Sequence, residues 1–279
     1  MYVAEYHNKR INNDVLLIGC GGTGGFVAEG LCRILPDDYR IVLQDHDRVE
    51  ERNLLRQNFF ASDLGKFKAQ ALAERLSNNY RRPIGYKVFP FGLHYSTMYA
   101  VPSIIIGCVD NPEARKRISV EPMGLAWWID AGNGHHSGQV LIGNMTEYGM
   151  KNSFQSTSGI AHGLPLPSLQ LPGILDPVAA PLPDCATAVQ TEEQSPIINQ
   201  MMATLVLQSV HALIRNQLTW MAQYIDLENG TLTTVRIEPK TIARLLGVRV
   251  DTLINGLKEK EEDEEQGCHA GNVSRLEVR

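Results

Sequence analysis

Val15-Leu16-Leu17-Ile18-Gly19-Cys20-Gly21-Gly22-Thr23-Gly24-Gly25 decides the fold of this 279-residue chain. Four apolar residues running into glycines read as a buried parallel strand. The glycine loop lets backbone approach an anion closely. The helix predicted over residues 26–35, closed by Pro36, then offers N–H groups and a positive dipole end. Residues 40–44 read as the second strand of a βαβ unit, ending at Asp45. Gly19, Gly21 and Gly24 fit G-x-G-x-x-G in this context. Asp45 stands where a carboxylate binding ribose hydroxyls is expected. The pattern is shared by proteins that bind NAD and by ATP users. A ligand-free turn is the bland alternative, disfavoured because five glycines in seven residues serve packing poorly.

Outward from this unit, Phe67, Ala71, Leu72 and Leu76 form a helical stripe over residues 66–79. Strands are predicted over 84–89, over 103–109 ending at Asp110, and over 126–129 and 139–142. Such alternation predicts an α/β domain with a mostly parallel, Rossmann-like sheet. Pro165, Pro167, Pro172, Pro177, Pro181 and Pro183 then crowd one stretch. Proline removes donors and fixes φ, so neither helix nor inner strand is expected there. A loop of that length points to function. A buried helix over 197–216, a strand over 231–237 and a helical segment over 241–257, broken near Gly247, follow. The expected division is an α/β nucleotide-binding domain over 1–237, with a crossover loop at about 151–195, and a helical appendix over 238–279 with an acidic tail.

Composition narrows the function classes. The formal net charge of -5 gives no electrostatic help toward a polyanion, so DNA and RNA are not expected partners. The five cysteines include no Cys-x-x-Cys pair, which argues against a disulfide framework and a thiolate zinc site and fits a reducing cytoplasm. Residues 1–14 are polar, unlike a signal peptide. The apolar runs read as too short to cross a bilayer, so no membrane partner is expected.

Further motifs follow in order: Asp45-His46-Asp47-Arg48-Val49, Asn53-Leu54-Leu55-Arg56-Gln57, Gly65-Lys66-Phe67-Lys68, and Asp110-Asn111 after a strand. Together with the glycine loop, these blocks resemble the ThiF, MoeB and ubiquitin-activating-enzyme family. The resemblance covers residues 14–145 well, and the rest more loosely through Ser137-Gly138-Gln139-Val140 and the helix after Pro196. The arrangement of glycine loop, prolines and cysteine looks most like the ThiF-related branch of PRTRC plasmid cassettes.

The resemblance implies ATP-dependent adenylation of the C-terminal carboxylate of a small ubiquitin-like or sulfur-carrier protein, in a homodimer. Gly19, Gly21, Gly22 and Gly24 would cradle phosphates, with Gln57 beside them. Arg56 and Lys68 would offset the repulsion between carboxylate and α-phosphate. Asn53 would bind phosphate or ribose, Asp45 the ribose, and Asp110 a Mg²⁺ ion. Asp47 either belongs to the site or caps a turn. Cys185, after the prolines, either forms a thioester with the activated tail or is an inert thiol. Cys20, Cys32 and Cys108 read as packing residues. The family's zinc-binding cysteine pairs are missing, so no zinc is expected. The segment before Val15 is too short for the helix by which some members reach the partner subunit's site.

Two further features read as structural. His135 and His136 are adjacent on a turn and suit a polar loop better than a metal. Residues 241–253 resemble a helix-turn-helix, but Asp251 and the acidic run have the wrong sign for phosphate contact. Two other classes remain open. A nicotinamide-dependent oxidoreductase explains residues 19–45 but leaves Asn53, Arg56, Lys68 and Asp110 without a task. A non-catalytic nucleotide-binding scaffold does not need the full set.

Overall fold

A computed structural model describes residues 1–6, 12–91, 102–120, 126–176 and 195–255. Its strands are β1 (Val3–Ala4), β2 (Asn12–Ile18), β3 (Arg40–Gln44), β4 (Ile84–Lys87), β5 (Pro102–Gly107), β6 (Trp127–Asn133), β7 (Ser137–Gly143), β8 (Phe154–Gln155), β9 (Ile160–Ala161), β10 (Trp220–Asp226), β11 (Thr231–Arg236) and β12 (Ile254–Asn255). Its helices are α1 (Gly22–Ile34), α2 (Lys68–Tyr80), α3 (Pro112–Val120), α4 (Pro167–Gln170), α5 (Pro196–Ile214), α6 (Pro239–Leu246) and α7 (Val250–Leu253).

The main sheet has the order β11-β10-β7-β6-β5-β2-β3-β4. The five strands from β6 to β4 are parallel, and β7, β10 and β11 run on as an antiparallel wing. The α/β, Rossmann-like expectation is therefore met. Parallel strands need both faces covered, and period-2 side-chain alternation divides their apolar runs between two layers. In β2, Val15 and Leu17 face the larger core with Ile41, Leu43, Ile104 and Ile129. Leu16 and Ile18 face a second cluster with Ile105, Trp128 and Ile174. All four β2 side chains are fully or almost fully buried, each contributing roughly 1.5–3 kcal/mol.

The proline-rich stretch corrects an expectation. Pro167 and Pro172 begin short helices, α4 and the 3-10 turn Pro172–Leu175. Proline breaks a helix interior, but its missing N–H costs nothing in the first turn. Leu166, Leu171, Ile174 and Leu175 pack against the second cluster, and the Gln170 amide donates to the Ile142 and Pro165 carbonyls at 2.8 and 2.7 Å. Part of the expected crossover loop is thus the cover of the sheet's second face. Its remainder, residues 177–194 with Cys185, lies outside the described residues, as do Cys268 and the acidic run.

Strand β10 is a further difference. No strand was expected over 220–226, because its apolar residues follow the long helix without a turn signal. It pairs with both β7 and β11. At the C-terminal end, the helical expectation over 241–257 holds through Leu253, and Gly247 breaks it in the left-handed conformation at φ 67°. Ile254–Asn255 then turns into a strand beside β8, in a small sheet of order β1-β9-β8-β12.

Helix α5 is 19 residues long, and by length and composition alone it could cross a membrane. It lies instead against α1, with Ile198, Met202, Leu205, Val206 and Leu213 in the larger core. At the far end of α1, the Arg82 guanidinium donates to the carbonyls of Leu35, at the C-cap, and of Pro36 and Tyr39 in the turn that follows.

Candidate active site

Helix α1 begins at Gly22, four residues earlier than predicted, inside the glycine run. Gly19 needs its special backbone, at φ +87°, and a side chain there would strike the Cys108 carbonyl. A Cβ on Gly24 would strike the Gly19 carbonyl, and one on Gly22 the Asn199 amide. The glycines therefore serve close packing as well as exposure of backbone. Gly21 stands at the N-cap with no side-chain cap, and the first turn of α1 carries no acid. That helix end leaves its N–H groups and dipole available to an anion.

Asp45, at the end of β3, steadies the loop. One carboxylate oxygen accepts from the Cys20 N–H at 2.7 Å and the other from the Asp47 N–H at 2.8 Å. Each oxygen keeps a lone pair for a hydroxyl. Burial raises its carboxyl above the usual range, while these two backbone bonds pull the other way.

Backbone pairing brings Lys68 to Asp47. Val49 N–H donates to Lys66 O at 2.9 Å, and Lys68 N–H to Asp47 O at 2.8 Å. The Lys68 ammonium then donates to the Asp47 carboxylate at 3.0 Å. Lys68 is buried, with 7% of its surface exposed, whereas Asp47 is half exposed. Asp47 thus holds the buried cation in place at the rim of the site.

The turn that carries Arg56 is built by Asn53. Asn53 Oδ1 accepts from the Glu50 N–H at 2.9 Å, and its carbonyl receives the N–H groups of Arg56 and Gln57. Both oxygens of Asn53 therefore serve the turn. The turn lies along the glycine run. The Gln57 amide is the nearest neighbour of the Gly21 Cα face, and Asn58 Nδ2 donates to the Gly25 carbonyl at 3.2 Å. From the other side, β5 places Cys108 against Gly19, with Cys108 N–H on Ile18 O at 2.8 Å, and exposed Asp110 two residues beyond. The structure thus brings Gly19, Gly21, Gly22, Gly24, Asp45, Asp47, Asn53, Arg56, Gln57, Lys68 and Asp110 to the carboxyl edge of the parallel strands. Cys185 lies outside the described residues.

Burial pushes the Cys20 and Cys108 thiols far up, and that of Cys32 to about 11, as suits packing residues. His135 and His136 contact each other, Nδ1 to Nε2 at 2.6 Å, on the exposed β6–β7 turn. Asp45, His46 and Asp47 cluster with ligand-type atoms, but two N–H groups and the Lys68 ammonium already meet the two carboxylates.

One pair escaped the sequence. Arg115 Nε, on α3, bonds both oxygens of Asp130, on β6, at 3.0 and 3.1 Å. Asp130 is wholly buried. The pair fixes α3, and with it the Asp110–Asn111 turn, to the sheet. A lone acid within the apolar run Trp127–Asn133 was the available signal. Burial raises the Asp130 carboxyl to about 6, with Arg115 opposing. An unfolded aspartate titrates near about 3.9. The stability linked to the raised pKa is complete below that value and is lost as pH rises through about 6. Relative to Asp130→Asn, the wild type should lose stability between about pH 4 and 7 in urea unfolding. A gain over that range would mean that Arg115 outweighs burial.

A mostly parallel sheet with a glycine turn and helix N-terminus at its carboxyl edge defines a Rossmann-like α/β protein. Residues 4–241 match the ThiF family model, and the chain belongs to that family. In sequence it is 30% identical over 148 residues to ubiquitin-like modifier-activating enzyme 5 of Culex quinquefasciatus, covering 47% of this chain and 36% of that protein. The Dictyostelium discoideum protein of the same name is 30% identical over 145 residues, covering 47% and 37%. The chain thus spans little more than a third of the length of these relatives. Among solved structures, PaaA superposes with a TM-score of 0.56 at 17% identity, covering 81% of this chain and 73% of PaaA. E. coli MccB with ATP gives 0.54 at 17%, covering 80% and 63%. These likenesses are ones of fold.

Proposed function

We propose that this chain adenylates the C-terminal carboxylate of a small ubiquitin-like or sulfur-carrier protein with ATP. The observation that carries the proposal is the uncapped N-terminus of α1 with the Arg56–Gln57 turn laid along it and buried Lys68 at its rim. An NAD site requires only the loop and Asp45. The Arg56 turn and Lys68 add cations, which two approaching anions need. ATP complexes of MccB and the relatives' name as ubiquitin-like modifier-activating enzymes support the same reading.

In the reaction, a carboxylate oxygen bonds to the α-phosphorus while the bond to the bridging oxygen breaks and pyrophosphate leaves with the electron pair. Gly21 and Gly22 would present backbone N–H groups to phosphate oxygens, and Gly19 and Gly24 permit the turn. Arg56 would offer a planar fork and Lys68 a point charge, strongest where charge develops on the leaving group. Asp45 would orient the ribose. Asp110 suits Mg²⁺: it is an exposed oxygen donor beside the loop, and among the described residues nothing engages its carboxylate. That ion would supply charge neutralisation at the phosphates. Cys185 would then attack the acyl carbonyl, with AMP leaving, to form a thioester. A homodimer, a cytoplasmic setting and the PRTRC-type branch complete the proposal, as does a division into residues 1–237 and an appendix.

Equilibrium binding should favour ATP over NAD, and ATP–pyrophosphate exchange should depend on a carrier ending in Gly-Gly. Preference for NAD, or exchange unaffected by every candidate carrier, would defeat the reading. Cys185→Ala should retain exchange and lose a thiol-sensitive carrier adduct. An adduct formed as in wild type would give the thiol a structural role.

A further inference from the structure

Asn199 stands on the buried, mostly apolar side of helix α5, wholly shielded from solvent. An enclosed amide is costly unless its donors and acceptor are met. The side-chain amide of Asn199 meets one partner in the candidate site and one beside it. Its Nδ2 donates to the Arg56 carbonyl at 3.2 Å. Its Oδ1 accepts from Asn133 Nδ2 at 3.1 Å, at the end of β6. Asn133 Oδ1 in turn accepts from the Thr23 hydroxyl, in the first turn of α1, at 3.4 Å. Gly22 allows this closeness, since a Cβ there would fall on the Asn199 amide. Asn199 therefore ties α5 directly to the Arg56 turn and the end of β6, and reaches the start of α1 through Asn133.

A leucine at this position would fill space on the buried side of α5. It would remove the bond to the Arg56 carbonyl, which is the contact between α5 and that turn. We propose that Asn199 is a positioning residue that sets the Arg56 turn against the phosphate loop before nucleotide arrives. The proposal rests on the ATP reading above. Fixing a cation in advance removes reorganisation from binding and reaction, which is where preorganised sites gain.

The test is ATP affinity, measured at equilibrium for wild type, Asn199→Ala, Arg56→Ala and the double variant. Each single change should weaken ATP binding roughly tenfold. The double variant should bind no worse than Arg56→Ala alone, because Asn199 acts through Arg56. Losses that multiply, to roughly a hundredfold, would assign Asn199 a merely structural role. Wild-type affinity in Asn199→Ala would also overturn the proposal. Should that variant fail to fold, Asn199→Asp serves in the same cycle, since it keeps an acceptor for Asn133 and replaces the donor to Arg56. A wild type that binds no ATP would instead sink the nucleotide reading itself.

Discussion

Lys68→Ala is expected to lower carrier-dependent ATP–pyrophosphate exchange by about 10²–10³-fold, the usual cost of removing one group that stabilises developing charge. Lys68 is buried at the first turn of α2, and its ammonium is held at 3.0 Å by Asp47. A cation fixed in a partly dehydrated setting acts more strongly on phosphate oxygens than one free in water. The fold should survive. Asp47 is half exposed, so its carboxylate regains water when the partner is lost, and no buried charge is left unpaired. Exchange rates at saturating ATP, with unfolding curves for both proteins, decide the matter. Full exchange in the variant would show that Lys68 is only a structural cation.

Gly24→Ala should destabilise the chain by about 3 kcal/mol or more and remove nucleotide binding with it. The added Cβ would land on the Gly19 carbonyl oxygen, with Cys108 Cβ close behind. Neither can yield cheaply. Gly19 N–H is bonded to Gln44 O at 2.9 Å, and Cys108 N–H to Ile18 O at 2.8 Å. Helix α1 must therefore move away from β2, and its N-terminus away from the phosphate position. Gly173→Ala is the control, because open space surrounds that position, and it should stay within about 0.5 kcal/mol of wild type. Thermal unfolding and ATP binding together test this. A Gly24→Ala protein that melts with the wild type would mean that the helix start is far looser than its contacts imply.

Much of the parallel half of the molecule was legible. Apolar runs such as Val15–Ile18 need cover on both faces, and residues 67–76 carry their helical period openly. The site blocks were legible as well, because each is short and contiguous. The glycine run was only partly so. In sequence its glycines read as ligand features, yet Gly22 and Gly24 are also required by Asn199 and by the Gly19 carbonyl. Pro167 and Pro172 were read as breakers because position within a helix cannot be seen before its start is known. β10 was not legible because its apolar residues follow the long helix without a turn signal, and β7, one of its partners, lies far away in sequence.

The sequence by itself determined the βαβ start and the order of the motifs. Those depend on local periodicity and on backbone freedom at glycine, which neighbouring residues specify. Only the tertiary structure decided that Lys68 is held by Asp47, that Arg115 anchors α3 through Asp130, and that Asn199 ties the Arg56 turn to α5. Each of these joins residues from separate elements. Their value comes from burial, and burial is a property of the folded assembly of strands and helices rather than of any one stretch of chain.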